Sequence, residues 1–244
     1  MERHSEVRDL TETDARNFEA VYASVGAAAV LPDDVAGLYK MHYIVIAPRL
    51  PDPQAQFAGA LYVDCRKHLV LGAISLFRRH SAQAFRETRA AVEAAGIAHA
   101  IRMDPENFRI FKDDKGSEES RRAAQNRFTS RRLFPPEIPE LASLKRCYDK
   151  ASELSHSNRR TLLPHLNLSQ GIFSYQDIRQ EDIPLLVTNY LLWLCFAHLA
   201  ILEAADVVFK DVNGDLEKFR NKLKHVGEKV AQFARSVRSG TSPG

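Results

Sequence analysis

From Leu185 to Leu202 the chain runs LLVTNYLLWLCFAHLAIL, 18 residues without a formal charge. A segment of that length has two physical solutions. It crosses a bilayer, whose hydrocarbon core takes about 17–25 residues of apolar helix, or it becomes the central helix of a bundle, apolar all round because neighbours cover every face. Thr188, Asn189 and His198 interrupt the run, Glu203 and Asp206 follow it, and Glu181 and Asp182 precede it, so neither end has the basic flank of a membrane span. The expectation is a buried bundle helix over 182–210, capped by Asp182 with Pro184 tolerated in its first turn, and no membrane partner.

A central helix needs others to cover it, and the remaining sequence supplies them. Pro32-Asp33-Asp34 starts a helix whose apolar positions Val35, Leu38, Tyr39, His42 and Ile46 follow a 3–4 spacing; Pro48, Pro51 and Pro53 end it. The spacing predicts a second helix over 54–79, with a stripe of Leu61, Tyr62, Cys65, Leu69, Gly72, Ala73 and Leu76. Ser81 is the expected N-cap of a third over 82–102, whose Ala84, Ala91, Ala95 and Ala98 permit close approach to a neighbour. A short helical piece follows Asp104-Pro105, and Pro135, Pro136 and Pro139 introduce another helix over 137–156. The stretch 157–175 is read as a loop. Near the end, Leu216, Phe219, Leu223, Val226, Val230, Phe233 and Val237 form a strict heptad seam. It suits packing along one helix, either the preceding one as a hairpin, which the short connection favours, or the same helix of a second copy.

These elements predict an all-α fold, an elaborated up-down helical bundle of six to eight helices with few or no strands, centred on the helices at 54–79, 82–102, 137–156 and 182–210. The chain has 244 residues, 45% hydrophobic and 27% charged, which suits one such domain over 31–238. Residues 1–30 are expected to form a polar N-terminal extension and 239–244 a disordered tail. Cys65, Cys147 and Cys195 are far apart and lie in apolar helical stretches, so they are read as reduced thiols of a cytoplasmic protein. The opening MERHSEVRDLTETDARNF lacks the apolar core of a signal peptide. No HExxH, Walker A or GxGxxG motif occurs, and neither a metal nor a cofactor is expected.

Chemistry concentrates on one helix face. Tyr148, Ser152, Ser155 and His156 fall at i, i+4, i+7 and i+8, beside the core positions Leu141, Leu144 and Ala151. Buried hydroxyls and an imidazole need partners, since leaving one unmatched costs about 1–3 kcal/mol. Either the row is a hydrogen-bonded clamp, or His156 is a general acid/base with Arg159 or Arg160 holding a phosphate. Arg89 and Glu93 stand at i, i+4. They pair with each other as an ordinary ion pair, or face the Tyr148–His156 helix and complete a buried network. Arg121, Arg122, Arg127, Arg131 and Arg132 form a basic run that is a phosphate-binding candidate, although only Phe128 offers an aromatic ring for stacking.

Ala84, Arg89 and Glu93 in an A-x4-R-x3-E helix, followed by Tyr148, Ser152 and His156 in a Y-x3-S-x3-H helix, resemble a family of uncharacterised bacterial helical-bundle proteins. The resemblance covers about residues 55–210, and that family is distantly similar to HEPN domains, some of which are metal-independent ribonucleases using an Arg-x4–6-His motif at a dimer interface. It therefore implies an RNA-related function, and it allows a homodimer without requiring one. Arg160 to His165 and Arg220 to His225 have the motif's spacing; Pro164 and Thr161 depart from its pattern.

Three functions are open on this reading: a non-catalytic interaction or regulatory module with a protein partner, a HEPN-like ribonuclease or nucleotide-handling enzyme, and a small-molecule binder using the bundle core.

Overall fold

Prolines and acidic caps set where the helices of this chain begin. In the computed structural model, which describes residues 6–113, 117–155, 166–167, 172–173, 178, 180–212 and 215–239, the Asp52 carboxylate accepts from the Ala55 backbone N–H at 2.7 Å ahead of Pro53. Asp104 does the same for Glu106 at 2.9 Å ahead of Pro105. Each satisfies an N–H that the first helical turn leaves open.

Ten α-helices occur among the described residues: α1 (Glu6–Ser24), α2 (Leu31–Ile46), α3 (Pro53–Phe77), α4 (Ser81–Met103), α5 (Pro105–Lys112), α6 (Glu118–Arg127), α7 (Ser130–Leu133), α8 (Ala142–Ser155), α9 (Ile183–Val208) and α10 (Glu217–Ser239). The chain is thus all-α, with seven long helices and three short ones. The sole sheet among the described residues is a two-residue antiparallel ladder, β1 (Leu166–Asn167) with β2 (Ile172–Phe173), inside the stretch read as a loop. The rest of that loop lies outside the described residues.

The uncharged helix sits where expected. α9 touches α1, α2, α3, α4, α8 and α10. By length and composition it could cross a membrane, but 61% of its most apolar window is buried inside the protein, a packing compatible with a soluble protein. Asp182 occupies the N-cap position without making a side-chain cap bond, because a 3₁₀ turn over Gln180–Asp182 leads directly into the helix. Likewise α4 already includes Ser81, and His80 takes the N-cap position.

α3 and α4 form the tightest pair, as the alanine stripe anticipates: Ala84, Ala91, Ala95 and Ala98 are buried, and the Cys65 thiol reaches the Ala91 carbonyl at 3.2 Å. Their connection carries Arg79 in the left-handed region, φ 68°. The His80 N–H bonds the Ser75 carbonyl at 2.8 Å, a Schellman-type ending usually built on glycine. The Arg79 guanidinium also donates to the Ile178 carbonyl, tying that distant residue to the hairpin.

One expectation needs correction, and another, the hairpin packing of the last helix, holds. Residues 6–30 are not an appendage: α1 and a 3₁₀ turn over Gly26–Val30 bury Val21, Ala28 and Ala29, and Phe18 stacks edge-on to Phe77. The polar composition of that segment hid a narrow apolar stripe. The heptad seam of α10 is covered from within the chain by α2 and α9, with Phe219, Val226 and Val230 buried and Lys229 paired with Asp34 at 2.6 Å.

Candidate functional site

α4 and α8 pack face to face and bring together part of the polar row. Arg89 donates from Nη2 to Tyr148 Oη at 3.1 Å, and its Cζ lies 5.2 Å from the centre of the same ring. No ion pair forms between Arg89 and Glu93; both are half-buried. Ser155 is buried and its hydroxyl donates to the Ser152 carbonyl at 3.3 Å. The Arg89 Nε and the Ser152 Oγ are buried without a partner. His156, Arg159, Arg160 and His165 lie outside the described residues. The second motif match separates: Arg220 pairs with Asp206 at 2.8 Å, while His225 is exposed.

The arginine run divides. Arg121 and Arg122 are exposed on α6, with Arg122 paired to Glu118 at 2.5 Å, and neither joins the Arg89 face. Arg127 turns inward to Asp104, at 2.6 Å, and to Asn107. Arg131 and Arg132 line a cleft of about 680 Å³ with Asn107, Arg127 and Glu137. A larger, open groove of about 830 Å³ lies between α8, α9 and α10, floored by Trp193, Phe196 and Leu223 and rimmed by Arg146, Lys150 and Lys224. Among the described residues, no three His, Cys, Asp or Glu side chains converge to hold a metal ion.

A pocket that the sequence reading passed over lies between α2, α3 and α9. It has a volume of about 340 Å³ and is lined by Tyr39, His42, Ile46, Tyr62, Leu202 and Ala205, with Lys40, Tyr43, Val63 and Arg66 also on its wall. Helical periodicity places these groups: Tyr39, His42 and Ile46 share the inward stripe of α2, and Tyr62 and Cys65 share that of α3. His42 is 2% exposed and Tyr62 3%, yet His42 Nε2 and Tyr62 Oη have no hydrogen-bond partner. Both rings pack on Phe209, at 5.9 and 5.8 Å. Beside them Tyr39 Oη lies 2.8 Å from His198 Nδ1, while His198 Nε2 is again unpartnered.

Burial dominates the electrostatics here. It holds His42 down to about 4, against the pull of the nearby Asp206 carboxylate, and His198 down to about 3; burial pushes the Tyr39, Tyr62 and Cys65 groups up. At neutral pH every one of them is uncharged, so the inner wall offers neutral donors and acceptors. A sequence signal existed: Tyr39, His42, Tyr62, Cys65 and His198 put polar tips on three otherwise apolar stripes. Each alone is an ordinary core residue, and only the packing of α2, α3 and α9 shows that they meet.

Set against protein-family models, curated proteins and solved structures, the chain matches none. The residues and their geometry therefore carry the functional reading.

Proposed function

We propose that this protein is a non-catalytic, ligand-responsive module whose bundle core binds a small organic molecule between α2, α3 and α9. The observation that carries this reading is the pair of orphaned polar atoms, His42 Nε2 and Tyr62 Oη, buried on the wall of one 340 Å³ pocket. A buried donor or acceptor left unmatched costs about 1–3 kcal/mol, and pockets of about 300–1,000 Å³ with a few convergent polar groups are the usual form of small-ligand sites. Catalysis by the same residues is disfavoured, because imidazoles held at about 4 and 3 are poor proton acceptors at neutral pH.

The test is a fragment screen by ligand-observed NMR on the native protein and on Val63→Trp. Val63 is 42% exposed on the pocket wall, so a larger side chain there closes the pocket without disturbing the core. Fragments that bind the native chain and not the variant support the reading. A library whose hits ignore the substitution overturns it.

A second reading, an RNA- or phosphate-binding module, is favoured by Arg131 and Arg132, both exposed, free of acidic partners among the described residues, and on one cleft. Its test is binding of labelled single-stranded RNA at low salt. Loss of binding in Arg131→Ala/Arg132→Ala supports it, and unchanged binding removes it.

A further inference from the structure

The pocket between α2, α3 and α9 is polarised along its depth. Its inner end is neutral: His42 and Tyr62 are nearly fully buried, both packed on Phe209, and each keeps one free polar atom. Its outer wall is cationic: Lys40 on α2 and Arg66 on α3 are exposed, line the same pocket, and form no ion pair with a described residue. This is unusual for the neighbourhood. On α3 the adjacent Lys67 is paired with Asp64 at 3.2 Å, and on α9 Asp206 is held by Arg220 at 2.8 Å. Asp64 and one oxygen of Asp206 are thus already held by cations, and the two cations beside the pocket are not.

Resting on the small-molecule reading above, we infer that the ligand is a small amphipathic organic anion, with its acid group held by Lys40 and Arg66 and an apolar or aromatic body ending in a hydroxyl or similar neutral group at His42 and Tyr62. The orientation follows from the charges. An acid placed at the inner end would stand near the Asp206 carboxylate with only neutral groups to meet it, whereas at the outer wall it meets one guanidinium and one ammonium. Ile46, Leu202 and Ala205 supply the apolar middle. A hydroxyl suits the inner end because it can accept from the Tyr62 O–H and donate to an unprotonated imidazole nitrogen, so that both orphaned atoms are matched at once.

The probes are 4-hydroxyphenylacetate, its neutral amide and phenylacetate, titrated by calorimetry into the native protein, Lys40→Ala, Arg66→Ala and Val63→Trp at low salt. The acid is expected to bind at least about tenfold more tightly than the amide, a margin that two exposed ion pairs supply. Arg66→Ala and Lys40→Ala should each remove much of that margin without lowering the melting temperature, raised salt should shrink it, and phenylacetate should bind more weakly than the hydroxylated acid. Equal binding of acid and amide, both lost in Val63→Trp, overturns the anion inference and leaves the pocket reading intact. Failure of all three probes, while neutral fragments still bind in a manner sensitive to Val63→Trp, also overturns the anion inference alone. Failure of probes and fragments together overturns both.

Discussion

Arg89 and Tyr148 meet twice across the α4–α8 interface, once through the phenol oxygen at 3.1 Å and once through the ring face at 5.2 Å. A hydrogen bond from a charged donor and a cation–π contact share one pair of side chains, and no carboxylate takes part.

That absence sets the size of the effect expected on substitution. A network closed by Glu93 would make Arg89→Ala cost several kcal/mol by stranding a buried charge. Without one, Arg89→Ala should destabilise by about 1–2 kcal/mol, Tyr148→Phe by somewhat less, and the double variant should show a coupling of about 1 kcal/mol. Urea unfolding of the four proteins measures it. Strict additivity would mean that the two contacts contribute nothing together.

The two buried imidazoles make stability depend on pH in a definite direction. His42 at about 4 and His198 at about 3 stay neutral in the folded chain, while unfolding returns both to about 6.5. Between pH 6.5 and 4 the unfolded chain binds more protons than the folded one, so stability is full above pH 6.5 and falls as the pH falls through that window. The loss at His42 alone is on the order of 3 kcal/mol. Urea midpoints taken from pH 7 to pH 5 should decline steeply in the native protein and less in His42→Asn and His198→Asn. Identical slopes in all three would refute this assignment.

Removing the orphaned phenol oxygen should separate stability from binding. Tyr62→Phe is expected to raise the stability of the free protein by about 1 kcal/mol, since an unmatched buried hydroxyl disappears, and to weaken hydroxylated ligands. A lowered melting temperature would show that the oxygen is satisfied in solution.

Two glycines should respond to alanine with opposite signs. A Cβ on Gly96 of α4 would lie 2.9 Å from Phe134 Cε1 and 3.2 Å from Leu133 Cβ, so Gly96→Ala should destabilise by about 1–3 kcal/mol. Gly37 of α2 is exposed with nothing within 4 Å of the added carbon, so Gly37→Ala should stabilise by about 0.5–1 kcal/mol. Thermal melts of the two variants decide the matter.

The thiols should be slow to react. Burial pushes Cys147 up to about 11 and Cys65 and Cys195 further still, leaving little thiolate at pH 8. With a disulfide reagent followed by mass spectrometry, Cys147, half-buried beside the groove of α8, α9 and α10, should label first. Cys65 and Cys195 should label only as the chain opens. Rapid labelling of Cys65 would contradict the packing of α3 on α4.

The sequence made α2, α3, α4, α9 and α10 legible because each carries a long periodic stripe, and prolines mark several of their starts. α1 was not, since its inward stripe of Leu10, Phe18 and Val21 is sparse and is diluted by charges on its other faces. Of the polar α8 face, spacing left open whether Arg89 would pair with Glu93 or reach the Tyr148 helix, and the facing of α4 and α8 brings Arg89 to Tyr148. Glu93 sits one turn along from Arg89 without pairing to it, a choice that side-chain rotamers make and spacing does not. The α2–α3–α9 pocket escaped notice because residues more than 150 positions apart, such as Tyr39 and His198, become neighbours only after the bundle closes.

α9 also bears on how such a chain can be made. Of the helices that enclose it, α1, α2, α3, α4 and α8 precede it in the sequence and only α10 follows. Synthesis therefore delivers the uncharged run to a berth whose walls have already left the ribosome, and the segment need not wait in water for its cover. Were the order reversed, the same 18 residues would emerge bare, with Thr188, Asn189 and His198 as the sole interruptions to a stretch that an insertion machinery weighs by hydropathy. The order of the helices thus gives this one its cover early: five of the six helices that touch it come before it in the chain.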